Sequence, residues 1–175
     1  MQLFAYEIPL FLSILAPALL ANTWSLSEMT RYYVQHPWYM LFNVVGFVGS
    51  LIALLGKLER VPFDIPEAET EIVAGSFTEY SGRFLALFRL TINVEMIVGA
   101  TLIAAVFLPF GFGLGPFIGF PVYVAKVLFV VVLLTVARTV LARLRIDQML
   151  SFCWQIAAPI AFLQVLINLV VKEML

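Results

Sequence analysis

Charge is what this chain has least of. Of its 175 residues, 12% are charged and 63% are apolar, where a soluble domain keeps about a quarter of its residues charged. So little polar surface cannot wet a globule, and lipid is the expected solvent. Cysteine is nearly absent. The single thiol, Cys153, cannot close an internal disulfide or hold an iron–sulfur cluster. The chain is therefore expected to carry no cluster or thiolate metal site of its own. The one histidine, His36, stands before Pro37 with no ligand partner nearby in sequence, and reads as a loop histidine. There is no glycine-rich phosphate loop and no basic patch for nucleic acid. A net charge of −1 steers no class of partner. No basic segment precedes the first apolar run, which carries Glu7, Pro9 and Pro17. That run is expected to be a spanning helix that stays, not a cleaved signal.

Long apolar runs are what the chain has instead. They cover residues 3–20, 38–55, 84–108, 122–141 and 149–171, each near the roughly 20 residues a helix needs to cross the hydrocarbon. None alternates with a period of two, so a lipid-facing barrel is not indicated. Helices are the other way to satisfy every backbone group in lipid. The expectation is an all-α integral membrane protein of about five transmembrane helices forming one membrane domain. Residues 22–37 read as a polar and aromatic loop suited to an interface. Residues 109–121 read as an uncharged loop rich in glycine, proline and phenylalanine. Lys57, Arg60, Arg83, Arg143 and Arg145 fall on one side, and Arg31 and Lys172 on the other. The positive-inside rule then places the 57–82 loop in the cytoplasm of a plasma (inner) membrane protein.

That loop holds most of the charge. It contains Glu59, Asp64, Glu67, Glu69, Glu71 and Glu79, with Lys57, Arg60 and Arg83 at its ends. Asp64 and Glu67 have capping-box spacing with Pro66 in the first turn, which predicts a short helix over about 65–74. On it Glu67 and Glu71 share a face and repel unless a cation such as Lys57, Arg60 or Arg83 lies between them. A charge run is usually a solvated loop. Here Pro62, Pro66 and Gly75 stiffen it, and apolar residues such as Val61, Phe63 and Ile65 interrupt it, as in a segment packed on something. Inside the apolar runs, Glu95 lies 12 residues past Arg83, roughly 18 Å along a helix, too deep to snorkel. It reads either as a buried protonatable carboxylate or as an interhelical hydrogen bonder. Glu7 lies nearer an end, and burial alone does not separate the two roles. Lys126 and Arg138 are close enough to helix ends to snorkel. Asp147 reads as the N-cap of the last helix. The order Glu7, loop carboxylates, Glu95 permits a proton path.

Three motifs together resemble one family. They are AYEIPL at Ala5–Leu10, ERVPFDIPEAETEIVAGSFTEYSGRFLALF at Glu59–Phe88, and RIDQMLSFCWQI at Arg145–Ile156. The family is the quinone-chamber membrane subunit of respiratory complex I, with its relatives in energy-converting membrane-bound nickel–iron hydrogenases. The resemblance implies a subunit that anchors a soluble redox arm, its acidic loop beside the last iron–sulfur cluster, itself held by a partner. It implies that Glu7, Glu67, Glu69, Glu71, Glu79 and Glu95 lie on the path linking redox events to ion movement. Lys57, Glu59, Arg60, Asp64 and Arg83 would form the surrounding charge network. Implied partners are an iron–sulfur subunit, a hydrogenase-like large subunit, antiporter-like membrane subunits and membrane lipid, with no nucleic acid. The chain would not catalyse alone; iron–sulfur clusters, and nickel–iron in the hydrogenase branch, would reside in partners.

This chain departs from the family twice. Quinone-linked members place a glutamate where Ile92 stands here, and the carboxylate appears one helical turn later at Glu95. The wording RLTINVEM leans toward the archaeal hydrogenase branch. Family members also have about eight helices, of which this chain matches the last five; the first three are expected on another polypeptide or lost by truncation. The alternatives are a quinone-binding subunit of an NADH or other dehydrogenase complex, a stand-alone secondary transporter subunit, and a passive anchor. No inverted repeat supports the transporter.

Overall fold

A computed structural model describes residues 2–63, 80–111, 113 and 115–174. Among these the chain is all-helical, as its apolar runs require. Helix α1 spans Gln2–Ala21. It ends in a Schellman turn: Asn22, at φ 54°, sits in the left-handed region, and the Thr23 and Asn22 N–H groups donate back to Ala18 and Leu19 carbonyls. Asparagine tolerates that backbone better than most residues.

The expected interfacial loop is instead helix α2, Leu26–Gln35, bent 62° from α1. Few of its residues are strongly apolar, so no hydrophobic run marks it. Its pattern is amphipathic: Met29 and Tyr33, at i and i+4, are buried while Glu28 and Arg31 face outward. His36 ends α2 and lies between the Tyr32 and Tyr39 rings, 5.0 and 5.6 Å away.

The second expected span is broken in two. Helix α3 covers Tyr39–Phe42 and α4 covers Val44–Lys57, with Asn43 between them outside helical geometry. At 14 residues, α4 is about 21 Å long, short of the roughly 30 Å hydrocarbon. It packs against α1 through small residues. A Cβ on Gly56 would stand 3.0 Å from Tyr6 Cβ, and one on Gly49 would stand 3.0 Å from Ser13 Oγ. Such residues let backbones approach closely where lipid supplies no hydrophobic drive between helices.

Helix α5 spans Arg83–Phe107 and α6 spans Pro116–Val140. The expected loop before residue 122 is shorter than anticipated, because α6 begins at Pro116 and carries Pro121 inside it. A proline in the first helical turn costs little, since its missing N–H is unpaired there anyway. The last segment runs as α7, Ile146–Phe152, a π-helical turn, Cys153–Ala157, and α8, Ala158–Glu173. The π turn precedes Pro159, which has no N–H to give the normal ladder. Asp147 lies inside the first turn of α7 and is not its N-cap. Arg145 holds that position, and its N–H is taken by the Gln148 side chain at 3.2 Å.

Three segments are long and apolar enough to span a membrane: Arg83–Phe107, Phe117–Val140 and Asp147–Glu173. The bent pair α1–α2 makes a fourth if it counts as one span. Five uninterrupted spans are therefore not what the described residues form. Helix α1 lies against α4 and α8, while α5 and α6 pair as a hairpin at one side.

Candidate functional site

Gly56 and Tyr6 set the site, because their close approach brings their sequence neighbours together. Lys57 ends α4 and Glu7 lies in the second turn of α1; Lys57 Nζ stands 3.9 Å from Glu7 Oε1. From the third side, α5 delivers Glu95, whose Oε1 is 3.7 Å from the same nitrogen. One ammonium thus lies between carboxylates from two different helices. Glu95 is not buried as expected. Its side chain is 39% exposed, against 48% for Glu7 and 34% for Lys57. All three line a cavity of about 290 Å³ with Tyr6, Glu59 and Thr91. Pairs this long and this accessible are weak staples. Their accessibility is what a group that exchanges protons needs.

Just beyond, α4 ends in a second Schellman turn. The Arg60 and Glu59 N–H groups donate to Leu55 and Gly56 carbonyls, each at 3.2 Å, and Glu59 adopts φ 50°. Glycine is the usual occupant of such a position. A glutamate there carries backbone strain, and its carboxylate lines the same cavity. Arg60 turns toward α5 and donates to Asn93 Oδ1 at 3.2 Å. Arg83 lies over the Phe84 ring at 5.1 Å. The cation expected between loop carboxylates therefore serves two helix carboxylates, and it is Lys57. The start of the acidic segment is anchored, as its interspersed apolar residues suggested. The Leu144 N–H donates to the Pro62 carbonyl at 3.0 Å, and Phe63 is buried with its ring 6.3 Å from that of Phe152. Asp64, Glu67, Glu69, Glu71 and Glu79, and the short helix over 65–74, lie outside the described residues.

A second polar cluster escaped the reading of charges, because it has none. Gln164 and Asn168, one turn apart on α8, are fully buried and Asn43 nearly so. Asn168 Nδ2 donates to Asn43 Oδ1 at 2.6 Å, and Gln164 Nε2 donates to the same oxygen and to the Phe42 carbonyl. Asn43 Nδ2 in turn donates to Tyr33 Oη at 3.1 Å, and Tyr33 donates to the Pro17 carbonyl at 2.9 Å. The chain of bonds joins α1, α2, the α3–α4 break and α8. Two amides spaced i, i+4 inside an apolar run were the available signal. Lys126 is likewise more than a snorkelling lysine: its Nζ donates to the Leu108 and Phe110 carbonyls at 2.9 and 2.7 Å, closing the C-terminal end of α5.

An all-helical membrane protein with a lysine shared by two helix carboxylates beside an anchored acidic segment is the class this geometry defines. The chain matches the family model described as NADH dehydrogenase over residues 1–169, and it belongs to that family. It is 40% identical over 177 aligned positions to a membrane component of the NADH-quinone oxidoreductase of Bacillus thuringiensis subsp. konkukian (strain 97-27). It is 39% identical to the NADH-quinone oxidoreductase components of the same name from Bacillus cereus (strain AH187) and Bacillus anthracis (strain A0248). Each alignment takes in 99% of this chain and 53% of the relative, so the chain spans about half the length of the curated relatives it matches.

Proposed function

We propose that this chain is a membrane-anchoring and coupling subunit of a complex I-like, ion-translocating oxidoreductase. It would tie electron transfer in a soluble arm to proton or sodium movement in neighbouring membrane subunits. The observation that carries this reading is Lys57 held between Glu7 and Glu95 on a solvent-accessible cavity. With both carboxylates ionised the triad carries one net negative charge; one bound proton makes it neutral. A charge change at a redox centre near the 57–82 loop would alter which of these two states is occupied. Loop carboxylates Glu67, Glu69, Glu71 and Glu79 would carry the signal between cluster and triad, with Glu59, Arg60, Asp64 and Arg83 setting the local field. Partners would be an iron–sulfur subunit and a large subunit of the soluble arm, together with antiporter-like membrane subunits. The loop would be cytoplasmic.

Quinone would enter as a substrate of the assembled complex, and similarity to components of NADH-quinone oxidoreductases favours that electron acceptor. The hydrogenase branch is the second reading, favoured by Ile92 where quinone-linked members have glutamate. Replacing Glu95 by Gln in the intact complex tests the triad. Electron transfer is expected to continue while ions moved per electron fall. An unchanged ratio in both Glu95→Gln and Glu7→Gln would remove the triad from the coupling path.

A further inference from the structure

Three arginines converge beside the triad and have no role in it. Arg60 follows α4, Arg89 lies in α5, and Arg138 lies near the end of α6. Arg60, Arg89 and Asn93 line a space of about 260 Å³, shared with the carboxylate of Glu59. Arg60, Asn93, Thr135 and Arg138 line the polar side of an adjoining space of about 210 Å³. Its other side is apolar, made by Leu55, Met96 and Leu134. Leu58, Arg60 and Asn93 border both, so the two form one groove between α5 and α6. Among the described residues, Glu59 is the one carboxylate that lines the groove. Asn93 Oδ1 accepts from Arg60, which leaves its amide N–H groups to serve as donors.

We propose that this groove binds the headgroup phosphate of an anionic phospholipid, with the upper acyl chain against Leu55, Met96 and Leu134. The charge balance asks for an anion: three guanidinium groups face one carboxylate. Glu59 lies at the Arg89 end, so the phosphate belongs at the Arg138 and Asn93 end, whose lining includes no acidic side chain. The apolar wall asks for a tail, which a free phosphate or an acidic peptide segment does not supply. The setting fits as well. Helix α6 presents Val132 and Val136 to the surroundings beside Arg138, as a lipid-facing helix does. The groove lies at the end of the bundle that also carries Arg143 and Arg145, the side where anionic headgroups meet basic clusters between helices. A zwitterionic choline lipid brings a cation with its phosphate and is disfavoured among three arginines.

The test uses the intact complex containing this chain, in phosphatidylcholine nanodiscs doped with a trace of phosphatidylglycerol that bears a diazirine on its acyl chain. After illumination, labelled peptides are mapped by mass spectrometry. Label is expected on the peptides holding Met96 and Leu134, several-fold above that from diazirine-bearing phosphatidylcholine. Arg138→Gln should lower it about fivefold, the factor that ~1 kcal/mol per basic residue near the surface implies, while Arg138→Lys should retain it. Lys172→Gln, at the other end of the bundle, should leave it unchanged. Equal labelling by the two lipids would overturn the proposal. So would displacement by inorganic phosphate at matched ionic strength, which would make the groove a site for soluble anions. Retention of full labelling in an assembled Arg138→Gln complex would overturn it too.

Discussion

The seam between α1, α4 and α8 and the hairpin of α5 and α6 meet the same solvent by different means. The seam hides neutral polar groups: Ser13, Asn43, Ser50, Gln164 and Asn168 are all buried there, and amides bond across helices. The hairpin hides almost nothing. Only 11% of the apolar window of α6 is buried, and its side chains face outward as Val, Leu and Phe. In lipid, apolar contact gives helices no preference for one another over the acyl chains. The seam holds by hydrogen bonds and by glycine-sized approach. The hairpin holds by its short connection and by Lys126 tying the end of α5 to α6. The comparison explains where the charges went as well. Glu7, Lys57 and Glu95 gather where seam and hairpin adjoin, so that a carboxylate from each can reach a common cation.

The sharpest way to break this contrast is Asn43→Leu. Asn43 makes four side-chain bonds, to Tyr33, Tyr39, Gln164 and Asn168. Such bonds average about 0.6 kcal/mol each inside membrane proteins, and the buried donors left behind cost about 1–3 kcal/mol more. A loss of about 3 kcal/mol is expected, read as earlier exposure of this chain to trypsin when the assembled complex is titrated with SDS. The matching change in the hairpin, Val136→Leu on the outer face of α6, should stay within about 0.5 kcal/mol. Equal effects would mean that the seam is not what holds the bundle.

Two glycines sharpen the same comparison. At Gly56 a new methyl meets Tyr6 Cβ at 3.0 Å, an atom fixed close to the α1 backbone. At Gly99 it meets Leu54 Cδ1 at 2.5 Å, closer still, but at the free end of a side chain that can rotate away. Gly56→Ala is therefore expected to cost about 1–3 kcal/mol and Gly99→Ala less, despite the shorter distance. Since Tyr6 and Gly56 adjoin Glu7 and Lys57, Gly56→Ala should also lower ions moved per electron. Gly99→Ala should not. Parallel measurement of both variants in the SDS titration and in a coupling assay separates steric from electrostatic effects.

What could be read in the sequence follows from this division. Long apolar runs announced α1, α5, the body of α6 and the last segment, because hydrocarbon depth imposes length on any spanning helix. The carboxylates that meet at Lys57 were visible too, since a charge at membrane depth is conspicuous. Their meeting point was not. Glu7 and Glu95 lie 88 positions apart, and only the approach of Gly56 to Tyr6 brings α4 into register. Helix α2 escaped because its stripe, with Met29 and Tyr33 inward, is amphipathic and not apolar. The break at Asn43 escaped because a single amide within an apolar run carries no breaker signal. What fixes it is bonding to Gln164 and Asn168 on a helix more than a hundred residues away.

The smallest expected effect tests the hairpin alone. Lys126 Nζ donates to two carbonyls, Leu108 and Phe110, where α5 runs out of partners for its backbone. Methionine keeps the length and apolar stem of lysine but gives those oxygens no donor. Nearby water or lipid headgroups can replace part of what is lost, so Lys126→Met should cost about 1 kcal/mol, well under the Asn43 change. The effect should also be local. Amide hydrogen exchange in the assembled complex is expected to quicken over residues 104–111 and the first turns of α6, and to stay as in the parent chain along α1 and α8. If exchange quickened equally in α1, hairpin and seam would be one cooperative unit, and the contrast between them would be one of composition and not of stability.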